Sequence, residues 1–378
     1  MKKRLSKFNL IITALLSVML ILFGTIFSVI FYKRSRGIRQ DYLELNGTAN
    51  KVVLFIGDGM GENHIKTASA YLEREIFFTG FEINGHCTTY SNALFSPTDS
   101  AAAASALATG QKFDNKEVSR HNGENITTIS ELAINKGYAV GIVTTDSLDG
   151  ATPACFSSHA NKRGDSDEII GNQIVSNIKL FLGAGKNKYD THTDALTNNG
   201  YEYINDYSQL NINSDKIFGS FERVASSDGT NTIPTLQMLT SFAIEYMEQN
   251  CPLGYFLMIE GAHIDKRSHD NNIMSMIRYL DNFDESIKTA YNLIGNKNGS
   301  AIIVTADHET GGLRYNGETK NEINDKMYTR LGHTSNNVPY YVHINPNKSI
   351  DTKNIFSPVI DNTDIFRLCK SCLNVWIN

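Results

Sequence analysis

Cysteine is scarce in this chain, with five residues in 378, at positions 87, 155, 251, 369 and 372. So few exclude a disulfide scaffold. Cys369-Lys370-Ser371-Cys372 is the one close pair. It reads either as a local disulfide or redox pair or as two unpaired thiols, and it carries no zinc signature. Positive charge is also lacking: 35 Lys and Arg stand against 40 Asp and Glu, for a net charge of -5. No basic stripe appears, which argues against nucleic acid as a partner. Internal repeats and low-complexity segments are absent, so the body is taken as one continuous unit.

Long apolar runs are absent too, apart from one. Residues 8–32 are uncharged and strongly apolar, long enough to span a bilayer as a helix. No small-x-small cleavage site follows, so the run is expected to be an uncleaved signal anchor rather than a signal peptide. Lys2, Lys3, Arg4 and Lys7 precede it and Lys33, Arg34, Arg36 and Arg39 follow it. Only the terminal amine tips this balance toward an N-terminus inside. The expected organisation is a short cytoplasmic tail over 1–7, the anchor over 8–32, a linker over 33–48 and a catalytic body over 49–378. That body is expected outside the cytoplasm, on a single-pass membrane protein, or secreted if the run is cleaved.

The body has globular composition, 41% apolar and 20% charged overall. Short branched runs alternate with helical periodicity. Lys51 to Ile56, Tyr138 to Thr145, Leu180 to Gly185, Tyr255 to Ile259 and Ala301 to Thr305 read as buried strands, with a weaker one at His86 to Tyr90 and another at Pro339 to Ile344. Helices are expected around Ala68 to Leu72, Thr128 to Lys136, Ser166 to Asn177 and Thr235 to Gln249, and from Asp265 toward Ala290. Residues 186–231 are polar and offer only two short strand candidates. The alternation predicts a three-layer α/β/α sandwich around a large, mostly parallel central sheet. In such sheets ligands gather at the carboxyl ends of strands. Asp58, Thr152, Glu260, Asp307 and His308 all stand where an apolar run stops.

Ser96-Pro97-Thr98-Asp99-Ser100 leads into an almost pure alanine stretch ending at Gly110. Ser100 is expected in the first turn of that helix. Free N-H groups and the helix dipole there favour an anion, so its oxygen is either an activated nucleophile or a neighbour of bound phosphate. Taken alone, the same residues also fit an Asp99 cap followed by an ordinary serine. Asp265 and His269, four apart, can point to one spot, and Asp307-His308 puts a carboxylate and an imidazole at one strand end. Each pair alone also fits a cap or a surface site. Together they form an oxygen- and nitrogen-rich set suited to catalytic zinc with a harder magnesium beside it.

Six segments carry a resemblance: Gly57-Asp58-Gly59-Met60-Gly61, Thr98-Asp99-Ser100-Ala101-Ala102, Ala151-Thr152-Pro153-Ala154, Glu260-Gly261-Ala262-His263-Ile264-Asp265-Lys266, Thr305-Ala306-Asp307-His308-Glu309 and His333-Thr334. In this order they resemble the alkaline phosphatase family, from about residue 49 to the C-terminus. The resemblance implies two zinc ions and one magnesium beside a phosphoseryl nucleophile, Ser100. By motif, Asp58, Asp307 and His308 would ligate the zinc that activates the serine. Asp265, His269 and His333 would ligate the other, and Asp58, Thr152 and Glu260 the magnesium. Arg163, eleven residues beyond Thr152, would clamp two phosphoryl oxygens; on its own it reads as a surface charge.

The implied reaction is hydrolysis of small phosphate monoesters by two in-line displacements, with broad specificity at alkaline pH. A homodimer is one assembly the resemblance allows, and the sequence leaves the oligomeric state open. Rival readings are a phosphodiesterase of the same superfamily and a membrane-anchored phosphate or metal receptor without turnover. Two departures stand out. Gly150 lies where relatives often place an Asp or His supporting the magnesium waters, and Asp149 is the expected substitute. Lys266 falls at a position that can reach phosphate through water or remain a surface charge. The span from His308 to His333 is short, so loops crowning the site are expected to be reduced. His64, His159 and His263 are expected to be hydrogen-bonding or core residues rather than ligands.

Overall fold

A computed structural model describes residues 15–22, 24, 42–93, 95–350 and 355–375. Two compact units are distinguished, Met1–Gln40 and Asp41–Asn378. In the first, residues 15–22 are helical. The expected tail at 1–7, most of the anchor over 8–32 and the start of the linker lie outside the described residues. Among the described residues no helix is long and apolar enough to cross a membrane.

The second unit carries fourteen described strands. Ten form one sheet: β1 Lys51–Ile56, β2 Ile83–Thr88, β5 Ala139–Ser147, β6 Leu180–Ala184, β7 Glu202–Ile204, β8 Ile217–Phe221, β9 Tyr255–Glu260, β10 Ser300–Thr305, β13 Val338–Asn345 and β14 Val359–Asp361. Two short ribbons complete the set, β3 Arg120–His121 with β4 Glu124–Asn125, and β11 Glu309–Thr310 with β12 His333–Thr334. The sheet order is β14-β2-β13-β10-β1-β9-β5-β6-β8-β7. Among these strands β13 alone runs against the others. β9 and β10 are buried at every residue, as strands covered on both faces require.

Register shows that both faces are covered. Phe256 on β9 is level with Val52 on β1, so the two share a face, and Phe55, three residues on from Val52, points to the other. Phe156, in the helix Ala151–Ser157, stacks on Phe256 at 6.2 Å between ring centres. Phe283, in the helix Ile273–Ala290, meets Phe55 edge to face at 5.9 Å. The helix layers therefore lie on opposite sides, as expected from the alternating pattern. The helix Leu236–Asn250 buries Leu236, Leu239, Ala243 and Met247, the stripe its sequence periodicity marks.

Three sequence expectations shift. β2 begins at Ile83, because its pairing with β13 runs from Ile83 opposite Val342 to Cys87 opposite Val338; its polar letters hide that start. The single helix expected from Asp265 toward Ala290 is two, His263–His269 and Ile273–Ala290. Asn271 turns left-handed at φ 51 and Asn272 caps the second helix by accepting from the Ser275 N-H. The polar stretch contains β7 and β8, as expected, and also the short helices Lys186–Tyr189 and Thr193–Asn198. Cys369 and Cys372 are both free and buried, so the reading as unpaired thiols holds.

The turn after β1 depends on Gly59, at φ +73. A Cβ there would lie 2.8 Å from the Asp265 Cα and 2.9 Å from the Thr310 Oγ1. Gly59→Ala combines a left-handed backbone with that clash and is expected to cost more than about 1 kcal/mol. Urea unfolding of the metal-free chain should show a lower midpoint at unchanged slope. An unshifted midpoint would mean the turn is not under this constraint.

Candidate active site

The site begins as a matter of register. Ile56 ends β1 level with Thr305 on one neighbour and Glu260 on the other, and Glu260 is level with Thr144 on β5. Four adjacent parallel strands thus reach one line. Glu260 stands on that line, while Asp58, Asp307 and Asp146 each follow two residues past it. Asp58, Glu260 and Asp307 are buried. The Asp307 Oδ1 accepts from the backbone N-H of Gly59 at 3.0 Å and of His308 at 2.9 Å, which fixes that carboxylate.

The ribbon of β11 and β12 brings in the histidine that is distant in sequence. Thr310 pairs with His333, and the rings of His308 and His333 stack at 3.6 Å between centres. His333 Nδ1 donates to the carbonyl of Thr98 at 2.8 Å, and His269 Nδ1 donates to the carbonyl of Leu331. Thr310 donates its hydroxyl proton to Asp265 Oδ1 at 2.5 Å, leaving its oxygen to accept from His308 Nδ1 at 3.2 Å. In neutral rings these partners assign the proton of all three histidines to Nδ1. Each Nε2 lone pair then faces inward.

Those lone pairs meet one another and carboxylates. His269 Nε2 and His333 Nε2 are 3.1 Å apart, at 3.3 and 3.7 Å from Asp265 Oδ1. His308 Nε2 lies 3.5 Å from Asp58 Oδ1, 3.3 Å from Asp307 Oδ2 and 3.2 Å from Ser100 Oγ. Two ligand sets emerge, Asp265 with His269 and His333, and Asp58 with Asp265 and His308. The first is the trio expected from the sequence. The second shares Asp265, with Asp307 against the same imidazole. Among the described residues, Asp58 Oδ1, Asp307 Oδ2 and Thr152 Oγ1 are buried without a hydrogen-bond partner. Acceptors facing acceptors in a buried site are costly unless a cation lies between them. These residues fit metal ions.

Electrostatics agrees. Burial, then the charges of Asp307 and Asp265, pushes the Asp58 carboxyl well above its ordinary range. Burial, then the charge of Asp146, pushes Glu260 up to about 8. Burial, then His333, pushes His308 down to about 3. A bound cation would reverse the carboxylate shifts.

Ser100 opens the wholly buried helix Ser100–Thr109, whose cap is Asp99. Asp99 Oδ1 accepts from the N-H of Ala102 and of Lys116, both at 3.0 Å, and its Oδ2 faces Arg163 at 3.4 Å. The cap therefore also orients the arginine. Thr152 sits in the first turn of Ala151–Ser157, and Glu260 accepts from the Thr144 hydroxyl. Asp149 is not the expected substitute for Gly150. Its carboxylate is turned to Lys188, Ser147 and Ser166, because the turn at residues 148–150 points it away from Glu260's strand. Asp146 stands at that place instead, paired with Lys266. Thr310 and Asp146 were missed from the sequence, although Asp146 has the two-residue offset of Asp58 and Asp307. His64, His159 and His263 bond to Ser268, Glu131 and Thr145, as expected of non-ligands.

Fold and site together define an α/β protein whose strand-end residues can hold metal ions next to a serine. Residues 49–354 match the alkaline phosphatase family, and the chain belongs to it. The chain is 32% identical over 284 residues to alkaline phosphatase 3 of Bacillus subtilis (strain 168), covering 69% of this chain and 61% of that protein. It thus spans about three fifths of that relative's length. It is similar to the structure of alkaline phosphatase from the Antarctic bacterium TAB5, at 25% identity and a TM-score of 0.72, over 87% of this chain and all of that one. A mutant of the TAB5 enzyme, 26% identical at a TM-score of 0.73 over 88% of this chain and all of that one, has Mg bound in its M3 site.

A pH dependence follows for the metal-free protein. Glu260 keeps its proton up to about pH 8 in the fold, whereas an unfolded Glu loses it near about 4.3. The fold binds the extra proton across that window, so stability is lost as pH rises through it. Below about pH 6.5 His308 opposes this, being neutral in the fold and protonated when unfolded. From about 6.5 to 8 the carboxyls act unopposed. The melting temperature of chelator-treated protein is expected to fall across that interval, and added Zn2+ and Mg2+ to remove the slope. A flat or rising metal-free profile contradicts this reading.

Proposed function

We propose that this chain hydrolyses phosphate monoesters through a phosphoserine at Ser100, releasing an alcohol and inorganic phosphate. The observation that carries the reading is Ser100 Oγ, 3.2 Å from the inward-facing Nε2 of His308, at the start of a buried helix. The residues fit two zinc ions, one at Asp58, Asp307 and His308 and one at Asp265, His269 and His333, and a magnesium at Asp58, Thr152 and Glu260. When bound, these ions would draw charge from the serine hydroxyl, the leaving oxygen and the attacking water, and neutralise the phosphoryl oxygens.

The chain supplies position. Ser100 Oγ attacks phosphorus in line; its bond to phosphorus forms as the ester oxygen's breaks, and the alcohol leaves with a proton. Water then attacks from the vacated side, the bond to Oγ breaks, and Oγ regains a proton as phosphate departs. First-turn N-H groups not taken by Asp99 and the helix dipole favour the phosphoryl charge. Arg163, held by Asp99, offers its planar fork to two oxygens. With one non-bridging oxygen directed at the ion sites, a dianionic monoester leaves two for Arg163 and a diester only one, so Arg163 supports the monoesterase reading over the phosphodiesterase. The apolar run over 8–32 supports a membrane-anchored protein with this site outside the cytoplasm, with a homodimer as its proposed assembly.

Ser100→Ala is expected to lower turnover of p-nitrophenyl phosphate by at least about 1,000-fold while metal content stays unchanged. Retained turnover overturns the nucleophile assignment. Arg163→Ala is expected to lower kcat/KM on the monoester by about 10–100-fold, the worth of a lost charge-assisted pair, with little effect on bis-p-nitrophenyl phosphate. Wild-type preference for the diester would favour the rival reading.

A further inference from the structure

Asp146 is the fourth carboxylate of the strand-end row and the one to which the three proposed ion sites assign no role. It stands within β5, two residues past the level of Glu260, the same offset that Asp58 has beyond the end of β1 and Asp307 beyond the end of β10. Its backbone N-H donates at 2.9 Å to Thr144 Oγ1, whose own proton goes to Glu260. One carboxylate oxygen, Oδ1, is paired with Lys266 Nζ. The other, Oδ2, lies 2.9 Å from where a Cβ at Gly150 would stand. Gly150 is the cap of the helix whose first turn carries Thr152, and the Thr152 hydroxyl is buried without a partner among the described residues. Glycine at 150 is therefore what lets an acidic oxygen from β5 lie over the start of the helix that carries Thr152, near enough for its charge to act on Glu260.

We propose that Asp146, seated over Gly150 and held by Lys266, is the positioning residue for the cation of Thr152 and Glu260, accepting hydrogen bonds from that cation's water. The assignment rests on the third-site reading given above. Its Oδ1 being neutralised by an ammonium, Asp146 is a poor direct ligand for a divalent ion and a good acceptor for water polarised by one. Lys266 then sets the strength of the site from one step further out, because its charge opposes the cation while its bond orients the carboxylate.

The test is Mg2+ affinity of the full chain loaded with zinc, measured by calorimetric titration and by Mg2+-dependent melting temperature. Asp146→Asn keeps the shape and removes the charge, and is expected to weaken Mg2+ binding by about 10–100-fold with zinc content unchanged. Gly150→Ala should weaken it in the same direction, since its Cβ displaces the same oxygen, and it stands in if Asp146→Asn does not fold. Lys266→Met should tighten it, because a positive charge is removed; a merely structural ion pair would make both partners' variants weaker. Wild-type Mg2+ affinity in Asp146→Asn overturns the assignment alone. Absence of Mg2+ binding in wild-type protein overturns the third-site reading and this assignment with it.

Discussion

Three adjacent parallel strands, β1, β9 and β10, stop at one level, and Asp58, Glu260 and Asp307 at or just past that level share a buried space. Like charges there cost several kcal/mol each when unpaired. Left to itself the cluster must hold protons or come apart, and the directions of the Asp58, Glu260 and Asp307 shifts say it holds protons. Cations relieve the same strain without protonation. The rest of the site is arranged around that demand: three imidazoles turned inward by their Nδ1 partners, a serine oxygen at a helix start, and an arginine at the edge.

Several residues serve two ends at once. Asp99 satisfies the Ala102 N-H in the first turn of the Ser100 helix and faces Arg163. Thr310 sits in the ribbon that delivers His333, and its single hydroxyl joins Asp265 to His308. Gly59 lets the turn after β1 approach the backbone of Asp265. Substitutions at such positions are expected to couple fold and site rather than act on one of them, since shared partners break additivity.

Much of this is legible in the sequence because central strands of a parallel sheet are continuous apolar runs, so their ends are easy to place. Asp58, Glu260, Asp307 and His308 are visible for that reason, and Asp265 with His269 through helical spacing. Grouping them into separate ion sites came from family resemblance, not from spacing. The sharing of Asp265 between two ligand sets depends on side-chain directions that spacing does not carry. β2 hides its start because an edge region with polar letters is defined by its pairing with β13. Asp146 lies near the end of β5 and Asp149 three residues on in the turn after it, and only that turn at 148–150 decides which faces Glu260. The helix break at Asn271 rests on a single left-handed residue with a cap after it.

The central claim is that the buried carboxylates and imidazoles exist to make the Ser100 oxygen a phosphoryl acceptor. The most direct measurement is rapid acid quenching of zinc- and magnesium-loaded protein during turnover of a phosphate monoester, followed by mass spectrometry of its peptides. The account predicts covalent phosphate on the peptide containing Ser100, located at that residue and absent from metal-free protein. Full turnover with no covalent phosphate, or phosphate on another residue, would contradict it.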